Sequence, residues 1–475
     1  MAVLDPEMTT EVVAEVRDGT YGDVVVAVEP GGAEFIPLSE RHGVPRTLFG
    51  TWTSPNLEFA TVFVGVIAVS FFGQSFWAAV LAIVIGTGLG SLSHGFLSSR
   101  GPALGVPQMV QSRISFGFIG NLLPAGLNSV TAGIGWFAVN SVSGALALNA
   151  LTGITGWVCL VFVGIVQTTI AFFGHNLIQL FERWMLPILG AAFLLASIVI
   201  LSKSRPGAVH TTQGIGGFLL SVGAAFGYAA GWNPFASDFT RYFKPETSRS
   251  CGLWSAAGVF ISCVALEIVG AASATIPGTN SNPTALFTSH MSTAVADITL
   301  IAIAFGAISA NALNVYSGVM SFLSTGIRLP LKMRRAIVAL GFGSIGFVVA
   351  VTGLHNAGSD YENFLLVISY WIGPWLGVFL TDWALRRGRR VGGFLFDRVH
   401  NPWAGAAAML IGMGISIWLF SNQTEYVGLI AKAHPGIGDL TFEVGFVLSA
   451  VLYAIFFSIS HDKRSEALVI PDEAT

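Results

Sequence analysis

An apolar run that begins near Gly214 ends in the segment Gly227-Tyr228-Ala229-Ala230-Gly231-Trp232-Asn233-Pro234-Phe235-Ala236-Ser237-Asp238-Phe239-Thr240-Arg241-Tyr242. A helix that crosses a membrane usually carries about 20 apolar residues without interruption. Here Gly231 relaxes the backbone, and Pro234 lacks an amide hydrogen and clashes with the preceding turn. The pattern therefore predicts a membrane helix that is broken near one end of this segment.

The break has two interpretations. Unwound backbone at membrane depth is stable only where it is buried in protein or lines a cavity. Discontinuous helices of transporters use their free ends to hold substrate or ions, and Trp232 would then offer a flat face for stacking. The alternative is a proline-kinked packing helix in which Trp232 anchors the chain at the membrane interface.

The composition is that of a membrane protein. Of the 475 residues, 53% are hydrophobic and 10% are charged, whereas soluble proteins average about 25% charged residues. The mean hydropathy is +0.70. The three cysteines form no motif and are expected to be apolar filler. Nothing near the amino terminus resembles a signal peptide.

The apolar pattern predicts an all-α polytopic protein with about twelve transmembrane helices, at residues 57–72, 76–98, 118–147, 154–173, 185–202, 214–235, 252–276, 296–325, 335–355, 362–385, 402–421 and 440–461. If the amino terminus is cytoplasmic, 20 of the 23 lysines and arginines fall on cytoplasmic segments. The remaining three are Lys203, Arg205 and Lys432. This bias follows the positive-inside rule and predicts that both termini are cytoplasmic.

A second interruption points to an internal repeat. The first span carries small and polar residues at 70–75, five spans before the broken sixth span. Interrupted helices at matching places in two halves indicate the binding site of an inverted-repeat transporter. We therefore expect a five-plus-five inverted repeat, although a glycine-containing packing helix would explain the first interruption alone. The predicted organisation is a cytoplasmic tail over 1–50, a transport core over 51–385, two further helices over 386–461 and a cytoplasmic tail over 462–475.

Polar side chains inside these spans are costly and often functional. Trp136 and Asn140 are one helical turn apart, so an aromatic plate lies beside an amide that can pair with the edge of a flat heterocycle. In the eighth span, Asn311, Asn314 and Ser317 recur every three residues and are expected to face the same cavity. For both groups the alternative is helix packing, with the side chains bonded to neighbouring helices.

Charged and aromatic residues suggest coupling and gating groups. Glu267 is the one acid that the pattern places deep in an apolar span, which makes it a candidate for proton coupling. A protonated structural glutamate is the alternative. Asp238 and Arg241 are expected to form a structural pair or part of an inner gate. Aromatic residues of the tenth span, among them Tyr361 and Phe364, form either a lid or an interfacial belt.

These motifs resemble the nucleobase–cation symporter family, and within it the fungal-type purine–cytosine permeases. The resemblance implies a LeuT-type inverted repeat with broken helices 1 and 6. It also implies a secondary active transporter that imports cytosine or a purine such as adenine, guanine or hypoxanthine. The stretches that carry the resemblance are Glu40–Pro45, Gly65–Gly73, Gly105–Val110, Ser112-Arg113, Ile134–Trp136, Gly231–Tyr242 and Asn314–Ser317.

The resemblance also assigns roles to residues. It implies that two tryptophans sandwich the substrate ring and that amides on helices 3 and 8 contact its edge. A polar residue of helix 1 contributes near the break of that helix. The predicted substrate-binding residues are Trp136, Asn140, Trp232, Gly231, Asn314, Asn311 and Ser70.

The coupling ion is where the sequence departs from the resemblance. Sodium-coupled relatives place two adjacent hydroxyl residues on helix 8, where this chain has Ile308-Ser309. One hydroxyl is missing, so a proton carried by Glu267 is favoured over sodium at Ser309. The implied partners are a small nucleobase and the lipid bilayer of the plasma membrane, with no nucleic acid, no metal site and no cofactor beyond the coupling cation.

Other classes of function fit the sequence less well. The same fold could carry uracil, allantoin, a hydantoin or a thiamine-like heterocycle, with sodium as the coupling ion. A channel would lack tight coupling between substrate and ion. A membrane enzyme is disfavoured because the sequence contains no HExxH motif, no GxSxG elbow, no P-loop and no metal-spaced cluster of histidine and cysteine.

Overall fold

The computed structural model describes residues 9–17, 25, 29, 32–280, 282–327, 334–354, 357–460 and 465–471. Helices dominate these ranges. They are α1 (Thr47–Thr53), α2 (Phe59–Ser70), α3 (Phe76–Ser98), α4 (Gly101–Leu104), α5 (Gln108–Gln111), α6 (Arg113–Gly120), α7 (Leu122–Val130), α8 (Phe137–Thr152), α9 (Gly156–Phe173), α10 (His175–Lys203), α11 (Gly214–Ala230), α12 (Ala236–Thr240), α13 (Ser248–Ser273), α14 (Pro283–Thr288), α15 (Thr293–Ser324), α16 (Arg334–Gly353), α17 (Ala357–Leu385), α18 (Trp403–Phe420), α19 (Leu429–Ala433) and α20 (Thr441–Ser460).

The helices account for the predicted membrane spans. Within the described ranges, ten helical segments are long and apolar enough to cross a membrane, and the bent pair α1–α2 supplies an eleventh. The predicted span at 335–355 coincides with α16, whose described apolar part is Leu340–Gly353. The chain is therefore an all-α, multi-pass membrane protein, as the composition predicted.

The first membrane helix is broken, but at a different place from the one expected. α1 and α2 are inclined by 59° to each other. Between them Pro55 lies in a 3-10 turn, and Glu58 has an extended backbone with φ −152° and ψ 171°. The predicted break at 70–75 is wrong: it is the end of α2, where Gly73 has a φ of 58° and Ser75 caps α3. Small polar residues thus marked a turn between two helices and not a break within one.

The sixth membrane helix is broken where the sequence predicted. α11 ends at Ala230, and a 3-10 turn over Asn233–Phe235 leads into α12. Pro234 occupies the first turn of that 3-10 segment, where its missing amide hydrogen costs no helical bond. Gly231 and Trp232 form the link between the two helical halves.

The third membrane helix contains an irregularity that the sequence did not reveal. Six residues over Thr131–Trp136 form a π-helical segment between α7 and α8. Such wide turns are uncommon and often lie at functional sites, because the extra residue redirects the side chains that follow. Trp136 is the last residue of this segment.

Helix packing divides the membrane core into two bundles. In the first bundle, α3 packs against α11 and α13, and α1 and α2 pack against α13. In the second bundle, α15 and α16 pack against α8 and α9. Both breaks belong to the first bundle, and α10 contacts helices of both.

Glycines allow very close packing inside the first bundle. A Cβ at Gly65 on α2 would overlap the carbonyl oxygen of Glu267, and a Cβ at Gly270 on α13 would overlap that of Val62. Small residues at facing positions let two membrane helices approach backbone to backbone. The first bundle is thus held as one unit around the break in its first helix.

Two short strands lie near the beginning and the end of the chain. β1 (Thr9–Val13) and β2 (Ser465–Val469) form a two-stranded parallel sheet, with Thr9 opposite Ser465. Residues 9–13 and 465–469 therefore lie at the same end of the molecule, here called the tail side. The helices of the membrane core begin at Thr47 with α1, and α17 ends at Leu385.

Candidate functional site

The two predicted stacking residues are both buried, and each lies at an irregular part of its helix. Trp136 is 5% exposed and Trp232 is 6% exposed. Trp136 is the last residue of the π segment of the third membrane helix, and Trp232 lies in the break of the sixth. A Cβ added at Gly231 would lie 3.0 Å from Cζ2 of Trp136. The glycine at the break thus lets the indole of Trp136 pack directly on the unwound backbone.

Aromatic residues surround Trp136 on the side away from the tails. Its ring centroid lies 5.6 Å from that of Tyr228, 6.4 Å from Tyr361 and 5.0 Å from Phe364. All three contacts are edge-to-face. Tyr361 and Phe364 belong to α17, so the geometry favours the predicted lid over an interfacial belt for these two rings.

A hydrogen bond joins the two breaks. Nε1 of Trp232 donates to Oδ1 of Asn56 over 2.9 Å, and Nδ2 of Asn56 donates to the carbonyl oxygen of Trp52 over 2.7 Å. The ring of Trp232 also meets Trp52 edge to face, at 5.8 Å between centroids. Trp232 is therefore oriented by the first helix as well as by its own.

The predicted asparagines form one buried amide network centred on Asn311. Oδ1 of Asn311 accepts from Nδ2 of Asn140 at 3.1 Å and from Nδ2 of Asn314 at 3.3 Å. Its own Nδ2 donates to Oε1 of Gln167 over 2.9 Å and to the carbonyl oxygen of Phe137 over 3.0 Å. Asn311 thus bonds neighbouring helices, as the packing alternative expected, and sequence reasoning missed Gln167.

Asn140 differs from Asn311 in one respect. Its Oδ1 is buried and has no hydrogen-bond partner among the described residues. An unpaired buried acceptor costs about 1–3 kcal/mol. This oxygen lies one helical turn from Trp136 and can accept a hydrogen bond from a ligand.

The break of the first helix contributes residues that the sequence did not single out. The hydroxyl of Tyr228 on α11 donates to Oε1 of Glu58 over 3.3 Å and lies 2.5 Å from Oγ1 of Thr61. Thr61 in turn donates to the carbonyl oxygen of Asn56 over 2.6 Å. The Pro55-Asn56 pair mirrors Asn233-Pro234, and this similarity is the signal that would have revealed the site.

Ser70 is separated from the other predicted substrate residues. It is the last residue of α2 and is exposed. The break lies at the opposite end of this helix, and 12 residues at about 1.5 Å each extend roughly 18 Å. Ser70 was predicted to be the polar residue of the first helix near its break. The structure corrects this prediction, because the residue that lies at the break and contacts Trp232 is Asn56.

The two predicted coupling residues have different surroundings. Oε2 of Glu267 accepts from Oγ1 of Thr87 over 2.6 Å, and both helices involved, α13 and α3, are in the first bundle. Oγ of Ser309 donates to Oε2 of Glu182 over 2.6 Å. The expectation that Glu267 is the only deeply placed acid is wrong, because Glu58 and Glu182 are buried as well.

Arg241 has a different ionic partner from the one expected. Its Nη2 lies 3.2 Å from Oε1 of Glu29, and its Nη1 donates to the carbonyl oxygen of Gly32 over 2.7 Å. The hydroxyl of Tyr242 also donates to Glu29. Asp238 instead accepts from the backbone amide of Gln108 over 2.9 Å. Glu29 and Gly32, which lie in the segment predicted as a cytoplasmic tail, thus contact Arg241 and Tyr242 just after α12.

Cavities lie on both sides of the buried tryptophans. One, of about 220 Å³, is away from the tail side and is lined by residues that include Phe59, Gly135, Val139, Tyr361 and Phe364. The other, of about 600 Å³, opens on the tail side. Its lining includes His42, Thr51, His175, Gln179, Glu182 and Arg183. The tryptophans occupy the region between a mostly apolar cavity and a charged one.

Two packed bundles, two broken helices and buried aromatic and amide groups at the breaks define a multi-pass membrane transporter. Residues 35–445 match the family described as "Permease for cytosine/purines, uracil, thiamine, allantoin". The chain belongs to this family, as the sequence motifs suggested. It is a permease and not an enzyme.

Curated relatives and solved structures agree with this assignment. The chain is 30% identical to a putative purine-cytosine permease, YxlA, of Bacillus subtilis (strain 168), over 92% of this chain and 98% of the relative. It is 27% identical to the purine-cytosine permease fcyB of Emericella nidulans, over 91% of each chain. Mhp1 in its inward facing conformation matches with a TM-score of 0.68, at 19% identity, over 94% of this chain and 96% of that one.

Another structure of Mhp1, a nucleobase-cation-symport-1 family transporter in a closed conformation with bromovinylhydantoin bound, also gives a TM-score of 0.68. It is 20% identical and covers 91% of this chain and 95% of that one. At these identities the match shows the fold alone. The fold is therefore the LeuT-type inverted repeat that the sequence predicted.

Proposed function

We propose that this permease is a secondary active transporter that imports a nucleobase, cytosine or a purine such as adenine, guanine or hypoxanthine, across the plasma membrane together with a cation. The observation that carries the proposal is the position of Trp136. Its indole packs on the unwound backbone at Gly231, one helical turn from the free Oδ1 of Asn140. The names of the relatives, which are purine–cytosine permeases, support the same substrate class.

In the proposed complex the flat base lies between the indoles of Trp136 and Trp232. Stacking on an aromatic side chain contributes about 1–3 kcal/mol per base and does not depend on which base is bound. Selection then comes from hydrogen bonds at the edge of the ring. Asn140 accepts from an exocyclic amine or ring N–H of the base, while Asn314 contacts the same edge from α15. Asn311 holds both amides in place.

The division into two bundles supports alternating access. The first bundle carries both breaks, and the second carries Trp136, Asn140 and Asn314, so displacement of one against the other opens and closes the space between them. The cavities on opposite sides of the tryptophans support this proposal. With the tails in the cytoplasm, the ion pair of Arg241 and Glu29 lies at the cytoplasmic exit.

A proton is the proposed coupling ion. The single hydroxyl at Ile308-Ser309 and the buried acids of the core support a proton over sodium. Ser309 and Glu267 are the two candidate coupling residues.

The test is counterflow in liposomes that contain the purified protein. Liposomes loaded with unlabelled cytosine or hypoxanthine are diluted into the same labelled base, without ion gradients. A carrier gives a transient accumulation of label inside, and the base is recovered unchanged. Liposomes without protein are the control for leakage.

Three results would contradict the proposal. Equilibration without a transient accumulation would indicate a channel, and chemical conversion of the base would indicate an enzyme. If neither base shows counterflow, the substrate assignment is wrong. Competition with uracil, allantoin, a hydantoin and thiamine would then find the heterocycle that the site accepts.

A further inference from the structure

One buried carboxyl lies where three parts of the core meet. Glu182, on α10, is 1% exposed. Its Oε2 accepts from Oγ of Ser309 on α15 over 2.6 Å. The hydroxyl of Ser54, in the 3-10 turn at the break of the first helix, lies beside the same carboxyl. Apart from this contact, Oε1 of Glu182 and Oγ of Ser54 have no hydrogen-bond partner among the described residues.

This carboxyl bridges the interface between the two bundles. Ser54 belongs to the first bundle and Ser309 to the second, and the turn at Ser54–Asn56 packs directly against α15. Displacement of the bundles must therefore change the distance between the two hydroxyls that flank Glu182. An ion or proton can drive alternating access only if it binds more tightly in one arrangement than in the other.

Glu267 does not meet this condition. Its partner Thr87 lies on α3, which packs closely against α13 within the first bundle. When the bundles move, the acid and its partner move together. Binding of a proton at Glu267 would then be nearly the same in both arrangements and would shift the equilibrium little.

Glu182 also has a route to water. It lines the cavity of about 600 Å³ on the tail side, together with Thr51 and Gln179. Oγ1 of Thr51 donates to Oε1 of Gln179 over 2.8 Å. These side chains form a polar wall between the cytoplasmic opening and the carboxyl, along which a proton can leave.

Among the described residues, no lysine, arginine or histidine lies within ion-pair distance of Glu182. The charged or titratable groups of the same cavity are His42, Arg46, His175, Arg183 and Tyr242. The charged or titratable groups on the helices that pack against α10 are Cys159 on α9, Arg249, Cys251, Cys263 and Glu267 on α13, and Asp297 and Tyr316 on α15. When the carboxyl is ionised, its negative charge is therefore stabilised by hydroxyl groups and not by a counter-ion.

We propose that Glu182 is the proton-binding residue of this symporter and that Ser54 and Ser309 position its carboxyl. The proposal rests on the proposed function, nucleobase symport. A buried carboxylate without a counter-ion is costly. A proton taken up from the outside makes the acid neutral, so the bundles can close around it with the base bound. When the tail side opens, water reaches Glu182 and the proton leaves to the cytoplasm.

The experiment uses the full-length protein in liposomes and compares the wild type with Glu182→Gln, Glu267→Gln and Glu443→Gln. Glu443, on α20 outside both bundles, is the matched control for loss of a membrane carboxyl. Labelled cytosine and hypoxanthine are followed in three conditions: an inwardly directed proton gradient, an inwardly directed sodium gradient at equal pH, and counterflow with no ion gradient.

We expect Glu182→Gln to lose accumulation driven by the proton gradient while it retains counterflow at a rate that no longer varies with pH. The amide resembles the protonated acid, so exchange continues but energy coupling is lost. Glu443→Gln should accumulate the bases like the wild type. Glu182→Asp, which keeps a carboxyl, should retain part of the accumulation.

The inference is overturned if Glu182→Gln accumulates either base to the wild-type level under a proton gradient, or if only a sodium gradient drives the wild type. Loss of accumulation in Glu267→Gln, with coupling intact in Glu182→Gln, would assign the proton to Glu267 instead. If Glu182→Gln does not fold, Ser309→Ala tests the same site. It should retain counterflow but change the pH at which uptake is half-maximal, and an unchanged pH profile would contradict the proposal. Failure of the wild type to show counterflow would instead overturn the proposed function.

Discussion

The indole Nε1 of Trp232 and Oδ1 of Asn56 are 2.9 Å apart, so the unwound segments of the sixth and first helices are joined by a direct hydrogen bond. Both residues are buried. The bond orients the indole that we propose as one wall of the substrate site. It also makes the two breaks behave as a single unit within the first bundle.

The first prediction concerns this bond. In Asn56→Leu the indole N–H of Trp232 is left without its acceptor, at a cost of about 1–3 kcal/mol. We expect a lower melting temperature and weaker binding of cytosine, measured by thermal unfolding in detergent and by equilibrium binding. Trp232→Phe removes the N–H as well. In the Trp232→Phe background, Asn56→Leu should lower the melting temperature and the affinity for cytosine by less than it does in the wild type. An equal loss in both backgrounds would contradict the role of the bond.

A second prediction concerns the amide network. Asn311→Ala removes the acceptor of Asn140 and Asn314 and the donor to Gln167. We expect a loss of stability and a change in selectivity among bases, because the two amides that we propose contact the substrate are no longer held. Competition for labelled cytosine by adenine, guanine and hypoxanthine measures the selectivity. Asn149→Ala, on α8 near the end of that helix, is the control. An unchanged competition profile in Asn311→Ala would show that the network has no role in recognition.

A third prediction concerns the segment before the first helix. Removal of one partner from a buried ion pair costs about 3–5 kcal/mol. Glu29→Ala or Arg241→Ala should therefore lower the melting temperature strongly. The decrease in the double variant should be smaller than the sum of the decreases in the two single variants. The exposed pair of Glu15 and Arg398, 3.0 Å apart, is the matched control and should change stability little. Additive effects of Glu29→Ala and Arg241→Ala would contradict the coupling of the two residues.

A fourth prediction concerns orientation. The three native cysteines are all buried, so cysteines introduced at exposed positions can be labelled selectively. In intact cells, a maleimide that does not cross membranes should label Asn280→Cys, in the segment between α13 and α14. It should label Arg387→Cys, after α17, only in inverted vesicles. The reverse pattern would overturn the orientation that the distribution of lysine and arginine predicts.

The parts of the structure that local chemistry determines could be predicted from the sequence. The break of the sixth helix follows from Gly231 and Pro234, and the placement of Trp136 and Asn140 one helical turn apart follows from helical spacing. The break of the first helix was missed because α1 is only weakly apolar. Pro55, in the turn after α1, therefore lies before the apolar run, where a proline normally marks a loop.

The remaining features depend on contacts between distant parts of the chain. Glu182 precedes Arg183 at the edge of a predicted span, so the sequence pattern is that of a solvated helix end. Only the packing of α10 against α15 and α1 buries it. The π segment before Trp136 changes the hydrogen-bond pattern without changing the apolar pattern. The partner of Arg241 is 212 residues away, at Glu29.

In the proposed complex, Trp136 and Trp232 hold the base between them. Equilibrium binding of labelled cytosine and hypoxanthine to the purified wild type, Trp136→Ala and Trp232→Ala tests it most directly. Trp77→Ala, which removes an indole that is 69% exposed on α3, is the control. At about 1–3 kcal/mol per stacked face, each core variant should bind at least several-fold more weakly, with melting temperatures that show a folded protein, while Trp77→Ala binds normally. Wild-type affinity in Trp136→Ala or in Trp232→Ala would show that the two indoles do not hold the base between them.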